Sequence, residues 1–117
     1  MKRKKTNPRV SGLIKSLYKK SEESKEALWK DVAKRLESPG KNWAEVNLSK
    51  LNRLTAKGET ILVPGKVLGT GSLDHSINLY SFSASKAVSE RVSKAGGSYN
   101  KIEDLLEKSA KGVRIFK

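Results

Sequence analysis

Cysteine is absent from this chain of 117 residues, and histidine occurs once, as His75. The lack of thiols excludes disulfides, thiolate zinc sites and cysteine nucleophiles, and it suits a reducing, cytoplasmic compartment. A single imidazole excludes a histidine-based metal cluster and an acid–base mechanism that uses paired histidines. We therefore expect no metal, no cofactor, no small-molecule substrate and no enzymatic activity.

Long apolar stretches are missing as well. No segment approaches the roughly 18 apolar residues that a membrane-spanning helix needs, and the basic N-terminus lacks the apolar run of a signal peptide. Apolar residues make up 36% of the chain and charged residues 32%. These proportions allow one domain with a modest core and a heavily charged surface, and we expect no membrane partner.

Acidic residues are scarce relative to basic ones. The chain has 25 Lys and Arg against 12 Asp and Glu, which gives a formal net charge of +13. Such a charge opposes compaction unless a polyanion lies beside it, and nucleic acid is the obvious polyanion. Four cations open the chain: Lys2, Arg3, Lys4 and Lys5. We predict that residues 1–7 form a basic arm that binds phosphates with release of counterions and selects no base.

The spacing of apolar residues predicts a helical first half. A helix is expected over about residues 8–20, with Asn7 placed to cap it and Pro8 suited to its first position. A second helix is predicted from Leu28 to Leu36, ending where Ser38-Pro39-Gly40 disfavours continuation. Asn47 is the predicted N-cap of a short third helix.

The pattern changes to short β-branched runs in the second half of the chain. Thr60–Val63 is typical of a buried strand, and Pro64-Gly65 is expected to break it before Lys66–Leu68 resumes as strand. A further strand is predicted over Ser76–Phe82, and a closing strand over Val113–Phe116. The second half is therefore expected to contain a sheet.

Two more helices are predicted in this half. Apolar residues from Ala84 to Ala95 recur at helical spacing, with Ser83 as the expected cap. Asn100-x-x-Glu103 resembles a capping box that opens a last helix extending to Ala110.

The glycines between Gly65 and Gly71 invite comparison with phosphate-binding loops, but the match fails. Gly65-Lys66-Val67 lacks the hydroxyl residue and the earlier glycine of a Walker sequence, and Asp74 stands where the dinucleotide fingerprint requires a glycine. Two interpretations remain open: a turn between strands, or a loop that also contacts RNA phosphate.

Asp74-His75 is the one place where an acid adjoins the imidazole. Neighbours in sequence rarely face each other productively, and no nucleophile is marked nearby, so a surface loop is the expected interpretation. Among the aromatic residues, only Trp43 lies in a loop flanked by lysine, and it is a candidate for stacking on an unpaired base. The other aromatic residues have the spacing of core positions.

Six short motifs follow one another along nearly the whole chain: Lys5-Thr6-Asn7-Pro8-Arg9, Trp29-x-x-Val32-Ala33-x-Arg35-Leu36-x-x-Pro39, Glu45-Val46-Asn47-Leu48, Val63-Pro64-Gly65-Lys66-Val67-Leu68-Gly69-x-Gly71, Ala95-Gly96-Gly97 and Ile102-Glu103-Asp104-Leu105. Each motif is weak alone, but in this order they are specific. Together they resemble one family, the archaeal large-subunit ribosomal protein eighteen-e, which is related to the eukaryotic eighteenth and bacterial fifteenth large-subunit proteins.

The resemblance implies an α/β protein with a helical N-terminal part, an irregular ββα-type superhelical domain and a basic extended N-terminal arm. It implies one rRNA-binding domain over residues 8–117, after the arm of residues 1–7. This domain would pack on the rRNA of the large ribosomal subunit in the cytoplasm, beside neighbouring ribosomal proteins and without catalytic activity. The chain lacks the longer basic termini of the eukaryotic relatives, which favours an archaeal-type source.

We expect the RNA contacts to be mainly with phosphate, bidentate from Arg and through a point charge from Lys. The candidates are Lys2, Arg3, Lys4, Lys5, Arg9, Lys41, Asn42, Lys50, Arg53, Lys66, Lys86 and Arg91. Composition alone permits a free nucleic-acid-binding accessory protein, associated with chromatin or translation, equally well. A small RNA-modifying enzyme would need an acid–base set or a cofactor pocket that the sequence does not offer.

Overall fold

The computed structural model of the protein describes residues 8–38, 43–108 and 112–116. In chain order these ranges contain α1 (Pro8–Ser24), α2 (Ala27–Glu37), β1 (Ala44–Asn47), α3 (Leu48–Leu54), β2 (Thr60–Leu68), β3 (Asn78–Ala84), α4 (Lys86–Lys94), β4 (Ser98–Lys101), α5 (Ile102–Leu105) and β5 (Val113–Ile115). Half of the predicted RNA-binding residues lie outside the described ranges: Lys2, Arg3, Lys4, Lys5, Lys41 and Asn42. The division into an arm and a domain therefore stays a prediction.

The two N-terminal helices form where the apolar spacing predicts them. α1 buries Leu13 and Leu17, four residues apart, and continues four residues beyond the predicted end at residue 20. α2 buries the side chains that share one of its faces: Trp29, Val32, Ala33 and Leu36. It ends at Glu37 because Ser38 has an extended backbone, as expected for a residue before proline.

The predicted cap at Asn47 is confirmed. Its side-chain oxygen accepts a hydrogen bond from the backbone N–H of Lys50 at 3.0 Å, which satisfies a donor in the first turn of α3. The residues just before this cap form β1, which the sequence analysis missed. β1 has only four residues, and only Val46 among them is buried, so it carries too little apolar alternation to be recognised.

The five strands make one parallel sheet with the order β1-β2-β3-β4, and β5 also pairs with β2. β3 lies along one edge of β2. The other edge is shared, because β5 pairs with residues 60–62 of β2 and β1 pairs with residues 65–68. β2 is therefore the central strand of the sheet.

The predicted break at Pro64-Gly65 is wrong, because β2 runs without interruption from Thr60 to Leu68. The register between β2 and β3 shifts between Val63 and Lys66, so Pro64, which has no N–H to donate, lies where the ladder is irregular. Gly65 faces β1 so closely that a Cβ atom would overlap the carbonyl group of Ala44. Pro64 therefore fits the irregularity between β2 and β3, and Gly65 fits the close approach of β2 to β1.

Two apolar clusters lie on the opposite faces of the sheet. Ile61, Val63 and Val67 join the cluster formed with α3 and α4, whereas Leu62 joins the cluster formed with α1, α2 and α5. This division follows from the strand geometry, because successive side chains point to opposite faces. The result is a three-layer arrangement of helices, sheet and helices, which confirms the predicted α/β class.

Two predicted helix starts are wrong. Ser83 belongs to β3, and Ser85 precedes α4 without capping it, since its hydroxyl accepts a hydrogen bond from the N–H of Gly69 instead. Asn100 belongs to β4, so the expected capping box with Glu103 does not form. Both serine and asparagine are common in caps, but here the parallel ladder continues through them.

The remaining strand predictions hold with shifted limits. β3 begins at Asn78 and ends at Ala84, two residues later than predicted at each end, and the closing strand covers Val113–Ile115. α5 ends at Leu105, well before the predicted limit, and Ala110 lies outside the described residues. None of the helices in the described part of the chain combines the length and apolar character needed to cross a bilayer.

Replacing Gly65 with alanine tests the close approach of β1 and β2. We expect Gly65→Ala to lower the free energy of unfolding by about 1–3 kcal/mol, because its Cβ meets backbone that cannot move aside. Gly12→Ala is the matched control, since a Cβ there meets nothing within 4 Å, and helix propensity should raise stability by about 0.5–1 kcal/mol. Urea unfolding measures both. Equal midpoints for Gly65→Ala and the parent would contradict the strand contact.

Candidate nucleic-acid interface

The two helical layers differ in charge. α3 and α4 together carry five cations and one carboxylate, whereas α1, α2 and α5 together carry seven cations and six carboxylates. The layer of α3 and α4 is therefore strongly positive and the opposite layer is nearly neutral. We call the first the cationic face and define it by its basic residues: Lys50, Arg53, Lys86, Arg91 and Lys94.

Four predicted RNA-binding residues lie together on the cationic face. α3 carries Lys50 and Arg53, and α4 carries Lys86 and Arg91. Arg53 and Lys86 are exposed and Lys50 is half-buried. Within the described ranges none of these three forms an ion pair, so their charges are available to an anion.

The sheet topology explains why these residues meet. In a parallel sheet, the segments that follow the carboxyl ends of the strands leave from one edge. Lys50 follows the end of β1, the turn of residues 69–71 follows β2, and Lys86 follows β3. Two lysines and a glycine turn that are distant in sequence are therefore neighbours at this edge.

The glycine turn is held from both sides. Arg91 Nη1 donates to the carbonyl oxygens of Gly69 at 2.8 Å and of Gly71 at 2.6 Å. From α3, the N–H of Ser49 donates to the Thr70 carbonyl at 3.2 Å. Gly71 has φ +91 and lies against Ser49, so a side chain there would be strained and crowded. Arg91 thus shapes the turn as well as adding charge beside it.

Lys66 is placed differently. It lies in β2 itself, in register with Glu45 of β1 and Ser83 of β3. Its side chain is exposed. The structure thus places Lys66 near the carboxyl end of the sheet, on a strand and not on the two helices of the cationic face.

Arg9 lies on α1, in the opposite helical layer, and is engaged by an acid. Its Nε and Nη2 donate to the two oxygens of Glu103 at 2.7 and 2.9 Å, and its guanidinium stacks over the ring of Phe82 at 4.0 Å. The hydrogen bond from Arg9 is the main cause that lowers the pKa of Glu103, and the same contact raises the pKa of Arg9. This pair could not be predicted from the sequence because its members are 94 residues apart.

Trp43 packs at the edge of the core. Its indole N–H donates to the carbonyl of Ser38 at 2.8 Å. Its ring meets Phe82 edge to face, with centroids 4.9 Å apart. These contacts account for the half-buried position of Trp43, and its expected stacking on a base stays a prediction.

His75 bridges two neighbours in an array that resembles a catalytic relay. Its Nδ1 lies 3.1 Å from Asp74 Oδ1, and its Nε2 lies 2.8 Å from Thr55 Oγ1. The Thr55 hydroxyl, however, donates its proton to the Leu51 carbonyl at 2.6 Å and is therefore not an activated nucleophile. The array ties the end of α3 to the loop before β3. The hydrogen bond from His75 is also the largest cause that lowers the pKa of Asp74.

The part of the chain that the structure describes holds no metal cluster. No group of three or more His, Asp or Glu residues could hold a metal ion there. A cleft of about 350 Å³ opens at the amino ends of the strands. Its one ionisable cation, Lys108, donates to the Tyr80 hydroxyl at 3.1 Å. The remaining polar groups of the cleft are hydroxyls and amides from Thr60, Asn78, Ser98 and Asn100.

The fold and its cationic face define a basic α/β protein suited to a polyanion, and comparison with known proteins identifies its family. A model of the family described as "Ribosomal proteins 50S-L15, 50S-L18e, 60S-L27A" matches residues 24–100. The "large ribosomal subunit protein eL18" of Methanoregula boonei is 47% identical over 115 residues, which cover 97% of this chain and 95% of that protein. The protein of the same name from Methanothermobacter thermautotrophicus is 44% identical over 114 residues, covering 96% and 94%. The chain belongs to this family of ribosomal proteins.

Family membership confirms the resemblance that the six motifs indicate. The relatives are archaeal, and their alignment spans nearly all of both chains. Likeness in sequence does not itself show which residues contact RNA. That assignment depends on the charge and placement of the side chains.

The ion pair of Arg9 and Glu103 predicts a specific dependence of stability on pH. Because the pKa of Glu103 is lowered in the folded state, its contribution is complete above its ordinary value of 4.5 and is lost as the pH falls through the lowered pKa. We expect the parent to lose more stability than Glu103→Gln on acidification below about pH 4.5. Urea unfolding of both proteins between pH 3 and 7 measures the difference, at about half-unit steps. Parallel pH profiles would show that the pair contributes nothing.

Proposed function

We propose that this chain is a structural constituent of the large ribosomal subunit and binds rRNA mainly through phosphate contacts. The unequal charge of the two helical layers carries the proposal, because a field of one sign on one face fits a polyanion. The names of the relatives, large ribosomal subunit proteins, support the same assignment. The role is to screen the repulsion between phosphates so that segments of RNA can pack together in the cytoplasmic ribosome.

Different cations contribute in different ways to the proposed interface. Lys50, Arg53 and Lys86 supply charge and have no acidic partner among the described residues. Arg91 supplies charge while fixing the glycine turn. Lys66 extends the interface onto the sheet. Basic and polar residues of the arm and of the loop before Trp43 complete the proposed set: Lys2, Arg3, Lys4, Lys5, Lys41 and Asn42. Arg9 is left out of this set because Glu103 already binds its guanidinium.

The opposite layer suits another kind of partner. Its cations and carboxylates nearly balance. Among the described residues, the ion pairs of Arg9 with Glu103 and of Arg35 with Asp31 join groups within the layer. A nearly neutral surface gains little from phosphate, so we assign this layer to neighbouring ribosomal proteins and to solvent. Membership of the ribosomal family supports a structural role without enzymatic activity.

Co-sedimentation separates the proposal from a free nucleic-acid-binding accessory protein. A structural constituent travels with large subunits in a one-to-one ratio at moderate salt. An accessory protein associated with chromatin or translation would be sub-stoichiometric or would follow DNA. The second outcome would refute the assignment to the ribosome but not the phosphate contacts themselves.

Removing charge from the cationic face should flatten the salt dependence of rRNA binding. Each contact between a cation and a phosphate contributes about 0.7 to 0.9 to the slope of log affinity against log salt. We expect the double change Lys50→Gln and Lys86→Gln to lower the slope by about 1.4 to 1.8. The matched control is Lys30→Gln with Lys34→Gln, two exposed lysines of α2 on the opposite layer. Equal slopes for the two double variants would refute the cationic face.

Deleting Met1–Lys5 tests the basic arm. We expect lower affinity for rRNA and a slope reduced by up to about 0.9 for each lost contact, because four cations are removed. Asn7 and Pro8 are retained, since loss of a helix cap could cost about 1 kcal/mol and confuse the comparison. Thermal unfolding is measured in parallel and should change little. Unchanged affinity and slope would remove the arm from the interface.

A further inference from the structure

The first turn of α1 is weak by itself. It contains Val10, Ser11 and Gly12, which are all poorer helix formers than alanine, and it has no acidic residue to complement the positive end of the helix dipole. The first four N–H groups of any α-helix also lack partners within the helix. The first side chain of α1 that is fully in the core is Leu13, so the turn before it is strengthened by any contact of its own with the rest of the fold.

Arg9 supplies that contact. Its fork of two hydrogen bonds joins the first turn of α1 to Glu103 of α5, and its stacking joins the same turn to Phe82 of β3. Both partners belong to elements that the core holds firmly, since Ile102 and Leu105 of α5 are buried and β3 is an inner strand of the sheet. The start of α1 is thereby fixed to another helix of its own layer and to the sheet.

The same geometry makes Arg9 a poor ligand for phosphate. Glu103 occupies two donors of the guanidinium and neutralises its charge, and Phe82 covers the guanidinium from one face. A phosphate would have to displace a bidentate carboxylate, the type of partner that the planar fork binds best. Arg9 also lies on the nearly neutral helical layer and not on the cationic face.

We infer that Arg9 is a positioning residue, which fixes the point where the basic arm joins the folded domain so that the arm and the cationic face can engage the same RNA. This inference rests on the proposed function, because it requires that the arm binds RNA. If the first turn of α1 frays, about four residues are added to the chain between the cations of the arm and the folded domain. The effective concentration of the arm at its phosphates falls as that linker lengthens.

A double-mutant cycle with the arm tests the inference. Arg9→Lys keeps the charge but loses the planar fork and the stacking, and it is made both in the full chain and in the chain lacking Met1–Lys5. We expect affinity for an rRNA fragment to fall about two- to fivefold in the full chain and to stay unchanged in the truncated chain. If Arg9 touched phosphate directly, the loss would be the same in both chains, and the inference would be overturned.

Glu103→Gln is a second test, because the two possible roles of Arg9, positioning the arm or binding phosphate, predict opposite changes in rRNA affinity. If Arg9 positions the arm, weakening its carboxylate partner lowers rRNA affinity in the full chain. If Arg9 binds phosphate, releasing it from the carboxylate raises affinity. Glu107→Gln is the control, since it removes the same charge from an exposed residue close by in sequence. The inference requires Glu103→Gln to bind less tightly than Glu107→Gln in the full chain and equally in the truncated chain.

Failures of the inference and of the proposed function give different results. If neither chain shows salt-dependent binding to rRNA, the proposed function fails and the inference falls with it. If both chains bind with the same affinity, the inference is overturned and the arm is removed from the proposed interface, while the phosphate contacts of the cationic face stand. Thermal unfolding of every variant shows whether a loss of affinity follows from global unfolding. Arg35→Lys is a further control, because Arg35 is also paired to an acid.

Discussion

The burial of β2 on both faces and along both edges is the constraint on which the rest of the structure depends. Residues 61–65 are fully buried, and three strands pair with β2. All of these pairs are parallel, so each connection between neighbouring strands must cross over the sheet, and helices have to cover both faces. The three layers and the common carboxyl edge of the strands both follow from this one strand.

The separation of charge is a second consequence of the same topology. The chain passes from β1 into α3 and from β3 into α4, so Lys50 and Lys86 lie beside the ends of those strands. Most of the helical carboxylates lie in the other layer, on α1, α2 and α5. Half-exposed ion pairs such as Arg9 with Glu103 stabilise a fold only modestly. The net charge of +13 is therefore not a source of stability, and it accords with the polyanion proposed as the partner.

The sequence predicts those parts of the fold that depend on local chemistry. The helices that contain Leu17 and Trp29 follow from spacing, and the start of α3 follows from Asn47, because each signal lies within a few residues. β1 and β4 could not be predicted, since short polar strands exist only through their neighbours. Ser83 and Asn100 have the composition of caps, but the parallel ladder decides their conformation.

The candidate site shows the same limit. The basic residues of α3 and α4 can be named from the sequence, but their common face requires the order of the strands. The partner of Arg9 could not be found at all, because nothing in the sequence links it to Glu103. The predicted contacts of the arm and of Lys41 depend on residues outside the described ranges.

The shared edge of β2 sets the order in which the molecule can be completed. Residues 60–62 emerge from synthesis long before residues 113–115, which finally pair with them. Until then one edge of the central strand keeps unpaired backbone groups, a template for association with other chains. At about 5–20 residues per second the delay lasts several seconds. The nascent protein is thus most vulnerable to aggregation just before its last strand arrives, and rapid capture or chaperoning at that stage would protect it.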